Sequence, residues 1–295
     1  MWREGQAMGG ADPLLAMIAE EARRHGYSCR VLASDELVLT HSGASFAMSL
    51  VNLRRLIARE PRDEWRAMVA DHLSTGIASF ELEQRNPFDF REFGDVRGLV
   101  RTRLYPSTAA AGGAVRRFVA PGLTQRIVLD NVHAVRTVTY DMLRDWPISE
   151  RDLFELAERN VRADGPLDTL TTEFDDPMAA GLPFSILFGP EYTTAHALWL
   201  AEYPVTGRAG ALLIIPSKRF LYTYPINDLD VLRAAVILAR LAVHGYAEQP
   251  WPVSQFVYHW HGRVQLAATT FSNEDGITMV PTDDFHSLLN ALESI

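Results

Sequence analysis

Along residues 210–246 the apolar and polar positions fall into blocks that predict strand, turn, strand and helix. Ala211-Leu212-Leu213-Ile214-Ile215 is a continuous apolar run, the pattern of a strand covered on both faces. Pro216-Ser217-Lys218-Arg219 interrupts it with a polar break whose proline cannot donate to a ladder. Phe220-Leu221-Tyr222-Thr223-Tyr224 resumes with aromatic and β-branched types. Residues 228–244 carry the strongest helical pattern in the chain, apolar nearly all round. Asn227 caps it, Asp228 and Asp230 suit its first turn, and Gly245 is expected to close it. The block is a core scaffold, and no residue in it reads as a catalyst.

The N-terminal pattern predicts a small α+β unit. Asp12 and Pro13 mark a helix start, Leu14, Leu15, Ile18 and Ala22 form its stripe, and Gly26 stands where the stop belongs. Three short strands follow at 28–33, 36–41 and 45–50, separated by Ser34-Asp35 and Ser42-Gly43, which predicts a meander. A second helix starts near Pro61 to Asp63, buries Trp65, Met68, Val69, His72 and Leu73, and is expected to stop at Gly76. From Phe80 to Gly98 the period is lost. Phe80, Phe88, Phe90 and Phe93 alternate with charges around Asn86-Pro87, so residues 81–97 read as an aromatic linker between a domain at 1–80 and one at 98–295.

The larger part mixes strands and helices without a regular βαβ alternation, so the expected fold class is α+β with mostly antiparallel sheets. Strands are predicted over 98–105, 126–133, 135–140 and 184–188, with a small-residue loop at 107–114. A helix over 149–161 has Ser149 as N-cap and Asp152 as its capping-box partner. A polar stretch up to Pro183 is expected to be irregular, and 193–201 helical. A hairpin turns at Gly262-Arg263, and a last strand at 277–280 precedes a helix from Thr282 or Asp283.

Composition narrows the function classes. The 295 residues are 47% hydrophobic and 22% charged, ordinary for a globular protein. Residues 1–6 have no apolar h-region, and no apolar run is long enough to cross a bilayer, so a cytoplasmic location is expected and no membrane. A single cysteine, Cys29, allows no internal disulfide and reads as a buried thiol. The net charge of −9 argues against nucleic acid as the partner. Lys218 is the one lysine among 28 basic residues, which reads as compositional bias.

Several strings resemble the YtpQ-like family of uncharacterised bacterial proteins. They are Leu99-Val100-Arg101-Thr102-Arg103-Leu104-Tyr105-Pro106, Arg136-Thr137-Val138-Thr139-Tyr140-Asp141-Met142-Leu143 and Trp146-Pro147-Ile148-Ser149-Glu150-Arg151-Asp152-Leu153. The run from Ala211 to Ser217 and the strand around Phe256-Val257-Tyr258 continue it. The resemblance covers most of the chain and implies a cytosolic α+β protein. It implies no reaction, substrate or catalytic residue.

The chemistry on offer is limited. Arg97, Arg101, Arg103, Arg116, Arg117 and Arg126 lie in a segment whose one acid is Asp95, and Arg101 and Arg103 share a face of their strand. Guanidinium forks suit carboxylate or phosphate, so Arg101, Arg103, Arg116, Arg117 and Arg126 form a candidate docking face for an acidic partner. The plainer reading is that they pair with the chain's own surplus acids. His259-Trp260-His261 puts two imidazoles on one strand face, a weaker metal-ligand pattern for which Asp283, Asp284 or His286 would be the third donor. Asp175-Asp176 and Glu274-Asp275 are adjacent carboxylates beside turn formers, and read as loop acids. GxGxxG, P-loop, GxSxG and HExxH motifs are absent. The sequence therefore predicts a non-enzymatic binding protein without cofactor, working on a protein partner in immunity, adaptor or chaperone-like fashion, with a homodimer as a further possibility. The alternative is an enzyme on a phosphorylated or nucleotide substrate, with the arginines as anion clamp.

Overall fold

A computed structural model of the chain describes residues 12–85, 89–109, 112–131, 134–189, 191–273 and 276–293, which divide between two compact units, Met1–Phe88 and Asp89–Ile295. Both are α+β, with antiparallel sheets.

In the first unit, α1 (Pro13–Arg24) begins where Asp12 accepts from the Leu14 amide at 3.0 Å, and it buries Leu14, Ile18 and Ala22. Gly26 follows it at φ +79°, the left-handed conformation that only glycine adopts cheaply. The meander β1 (Ser28–Ala33), β2 (Glu36–His41) and β3 (Ala44–Ser49) forms in that order. The short helix α2 (Val51–Ile57) was not legible in the pattern. The next helix, α3 (Trp65–Arg85), runs straight through Gly76. That glycine is a packing residue rather than a stop: a Cβ there would stand 2.4 Å from Met48 Cε on the sheet. Residues 81–85, expected in the linker, are therefore the end of α3. Phe80 stacks on Phe46 at 4.5 Å within this unit, and Phe88 lies outside the described residues.

The second unit opens with the turn-length α4 (Phe93–Val96), where Phe93 packs on Trp146 at 5.3 Å and the Trp146 indole donates to the Phe90 carbonyl at 2.8 Å. The aromatic stretch thus packs on its own units. Then β4 (Val100–Pro106), β5 (Arg116–Ala120), β6 (Leu123–Asn131) and β7 (Ala134–Thr137) make a four-stranded sheet in which β6 pairs with the other three. Tyr140, expected to end a strand, instead starts α5 (Tyr140–Asp145), because the Thr139 hydroxyl caps the Met142 amide. In α6 (Glu150–Ala163), Ser149 caps the Asp152 amide at 3.1 Å.

The remaining strands build a seven-stranded antiparallel sheet: β8 (Asp168–Thr172), β9 (Phe184–Phe188), β10 (Ala211–Ser217), β11 (Phe220–Pro225), β12 (Val257–Trp260), β13 (Val264–Asn273) and β14 (Gly276–Pro281), in spatial order β14-β13-β12-β10-β11-β9-β8. β8 occupies the stretch expected to be irregular; it is an exposed edge strand whose Leu170 is 53% exposed, so no buried face marks it in the sequence. β10 lies at the centre and is buried at every position. Leu212 and Ile214 pack into one core with α7 (Val231–Glu248) and α8 (Asp283–Glu293). Ala211, Leu213 and Ile215 pack into a second core with Leu104 and Leu123 of the smaller sheet and with the 3-10 helix Thr193–Glu202, which breaks at Trp199. α7 does not stop at Gly245, because that residue lies against Pro216, where a Cβ would meet the proline Cβ at 2.8 Å. No helix among the described residues is long and apolar enough to cross a membrane.

Candidate functional site

The register of the smaller sheet places Arg103 opposite Arg126 and Arg126 opposite Arg116, so three arginines fall in one cross-strand row. Four of the five candidate arginines are occupied within the unit. Arg101 grips Asp164, beyond α6, with Nε and Nη2 at 2.6 and 2.8 Å, and donates to the carbonyls of Gly98 and Val100. Arg117 turns to α6, pairing with Glu158 and Gln125 and lying over the Phe154 ring at 4.5 Å. Arg126 is buried over the Tyr105 ring at 4.6 Å and donates to the Ala109 carbonyl at 2.6 Å, while its Nε has no partner. Burial, reinforced by neighbouring Arg116, lowers its pKa. Arg116 itself is exposed on β5, two residues from Phe118, which is 72% exposed.

Arg103 leads elsewhere. Its Nη2 donates to both the carbonyl and the Oε1 of Glu191, each at 3.0 Å, and its guanidinium lies 4.8 Å over the Tyr192 ring. The same Glu191 Oε1 receives Lys218 Nζ at 3.0 Å. One carboxylate oxygen therefore sits between two cations from different sheets. Burial alone would raise the Glu191 pKa, but the hydrogen bonds and charges of Lys218 and Arg103 outweigh it and hold the carboxyl below its ordinary value. Burial lowers the Lys218 pKa, against the opposing pull of Glu191.

The polar break between β10 and β11 brings Lys218 here. Ser217 anchors the turn by donating to Gln249 at 2.6 Å, and the Lys218 amide donates to the Trp251 carbonyl at 3.0 Å. Trp251 holds its ring 3.9 Å from Lys218 Nζ with φ at +52°, a conformation uncommon for a bulky residue and a form of strain concentrated at functional sites. Lys218, Arg219 and Phe220 on this turn face Phe188, Glu191 and Thr193 across an open cavity of about 330 Å³. Lys218, Arg219 and Arg103 against Glu191 leave a surplus of two positive charges at this place, in a chain of net charge −9. In the sequence this turn reads only as a strand break. Its signal is the one lysine of an otherwise all-arginine chain, set between two core strands.

His259 spends Nε2 on the Ala209 carbonyl at 2.8 Å, and its ring lies 6.0 Å from that of His261. Among the described residues no three His, Cys, Asp or Glu side chains group so as to hold a metal. Asp176 caps the Met178 amide and pairs with Arg240, a structural role; Glu274 and Asp275 lie outside the described residues. Cys29 is half-buried, and burial raises its pKa. His72 keeps a buried Nε2 without a partner.

Sequence reasoning passed over His196. It is buried in the 3-10 helix, with Nδ1 2.5 Å from the Tyr203 hydroxyl and accepting from the Trp199 indole at 3.2 Å. No protein-family model, curated protein or solved structure matches the chain.

Proposed function

We propose that the chain is a cytoplasmic, non-enzymatic binding protein whose site is the Lys218 pocket, and that it takes up a small ligand through a carboxylate or phosphate group. The observation that carries this reading is Glu191: a carboxylate already lies between Lys218 and Arg103, and the cations outnumber it. An incoming anion would meet Lys218 and the exposed Arg219 on the cavity wall, with Arg103 behind Glu191 and with Phe188 and Phe220 as apolar walls. The rest of the arginine face offers less, since Arg101, Arg117 and Arg126 are committed inside the unit away from this cavity.

The test is thermal unfolding with inorganic phosphate, pyrophosphate and dicarboxylates at matched ionic strength. A ligand at a hundred times its Kd adds about 2.7 kcal/mol of stability. The wild type should gain that and Lys218→Met should not; equal responses would sink the reading. A second reading, an acidic protein partner, is favoured by Phe118 exposed beside Arg116 on β5. There, Arg116→Glu with Phe118→Ser should release a partner while leaving the fold and the anion response intact.

A further inference from the structure

We infer that Lys218 Nζ is a covalent capture site for anionic aldehydes, forming a reversible imine in the pocket; this rests on the anion-pocket reading above.

The geometry carries it in three respects. First, Nζ belongs to the lining of the cavity, held by the Trp251 ring at 3.9 Å and by Glu191 Oε1 at 3.0 Å. Its side chain is 18% exposed, enough to meet a ligand and too little for full hydration. Burial favours the neutral amine, the nucleophilic form, as for other amines desolvated beside a second cation. Secondly, Arg219 lines the same cavity and Arg103 approaches from behind Glu191, so a phosphate or carboxylate on the ligand has cations to hold it while its carbonyl meets Nζ. Thirdly, Glu191 is hydrogen-bonded to Nζ and is itself about half exposed, so it can move with the proton it handles.

The step balances without a further reactant. The free amine of Lys218 adds to the aldehyde carbon and a C–N bond forms. The nitrogen's proton passes through Glu191 to the carbonyl oxygen, giving a carbinolamine. The nitrogen's remaining proton then passes through Glu191 to that hydroxyl, which leaves as water as C=N forms. Amine plus aldehyde gives imine plus water, with nothing oxidised or reduced.

Having one lysine makes the test clean, because the only other amine of the chain is its N-terminus. Full-length protein is incubated with pyridoxal 5′-phosphate as the anionic probe or with benzaldehyde as the neutral one. The mixture is reduced with borohydride and the adduct mapped by peptide mass spectrometry. One adduct at Lys218 is expected, saturable, suppressed by inorganic phosphate and absent from Lys218→Arg. The anionic probe should label roughly tenfold or more faster than the neutral one, the return of one charge-assisted hydrogen bond. Labelling confined to the N-terminus, while phosphate still stabilises the protein, would overturn the capture site and leave the anion pocket standing. Neither labelling nor stabilisation would remove both. Labelling of Lys218 that ignores phosphate and does not distinguish the probes would mark an ordinary accessible amine and also overturn the inference. Mapping on the wild type decides the matter even if Lys218→Arg fails to fold.

Discussion

Acidification should destabilise the second unit through His196, by an amount the structure sets. Tyr203 Oη accepts from the Leu167 amide at 3.0 Å, so its own proton points at His196 Nδ1, 2.5 Å away. The Trp199 indole donates into the same nitrogen. A ring that accepts at Nδ1 is neutral, and protonation would set three donors against one another. Burial, with Arg162 adding to it, pushes the His196 pKa from the ordinary 6.5 down to about 4. Because the folded pKa is the lower one, the unfolded chain binds the proton first. The stabilisation is complete above the unfolded value, falls as pH drops below 6.5 and is exhausted near 4. A displacement of that size, at about 1.4 kcal/mol per pH unit, corresponds to roughly 3 kcal/mol. The assay is urea denaturation from pH 8 to pH 4, followed by tryptophan emission, on wild type and His196→Phe. The variant should lose about 1–3 kcal/mol at pH 8, where it orphans two donors. Toward pH 4 the wild type should lose roughly 3 kcal/mol that the variant does not, so the gap should close or reverse in sign. Other carboxylates titrate in both proteins, so parallel curves would refute the argument.

Two further predictions concern packing and charge. Gly210 has φ +88° and a Cβ there would stand 2.0 Å from the Trp260 carbonyl oxygen, so Gly210→Ala should cost roughly 2 kcal/mol or more, read as a lowered Tm; an unchanged Tm would contradict the close approach. Arg101→Ala removes the partner of Asp164 and the donor to two carbonyls, and should cost about 1–3 kcal/mol in urea denaturation. Arg116→Ala, on the exposed β5, should stay within about 0.5 kcal/mol. Equal costs would contradict the division between an Arg101 committed to the fold and an exposed Arg116.

What the sequence made legible is what local periodicity encodes. The unbroken apolar run of β10 placed a doubly covered strand, and it separates Leu212 and Ile214 from Ala211, Leu213 and Ile215 into two cores. Asp12 and Ser149 marked helix starts, and Gly262, at φ +72°, marked the last hairpin turn. Most of the misreadings come from distance along the chain. Gly76 and Gly245 look like helix stops until Met48 and Pro216 are brought against them. β8 hides because an edge strand exposed on both faces needs no alternation. The arginine segment read as a free basic patch because its acids arrive from elsewhere: Glu191 is 88 residues from Arg103, and Asp164 is 63 from Arg101. Lys218 was invisible as a site for the same reason, since its turn gains meaning only when Glu191 and Trp251 close around it.

The most direct test of the anion pocket is chemical rescue of Glu191→Ala. Removing that carboxylate leaves Lys218 Nζ and one Arg103 nitrogen without their shared oxygen, and the loss should appear as a lower Tm in chloride. Acetate or phosphate at constant ionic strength should then restore the variant's Tm by more than it raises the wild type's, because Glu191 already fills part of the cradle in the wild type. A variant that responds to these anions no more than the wild type would contradict the claim that Lys218 and Arg103 form a site for an external carboxylate or phosphate.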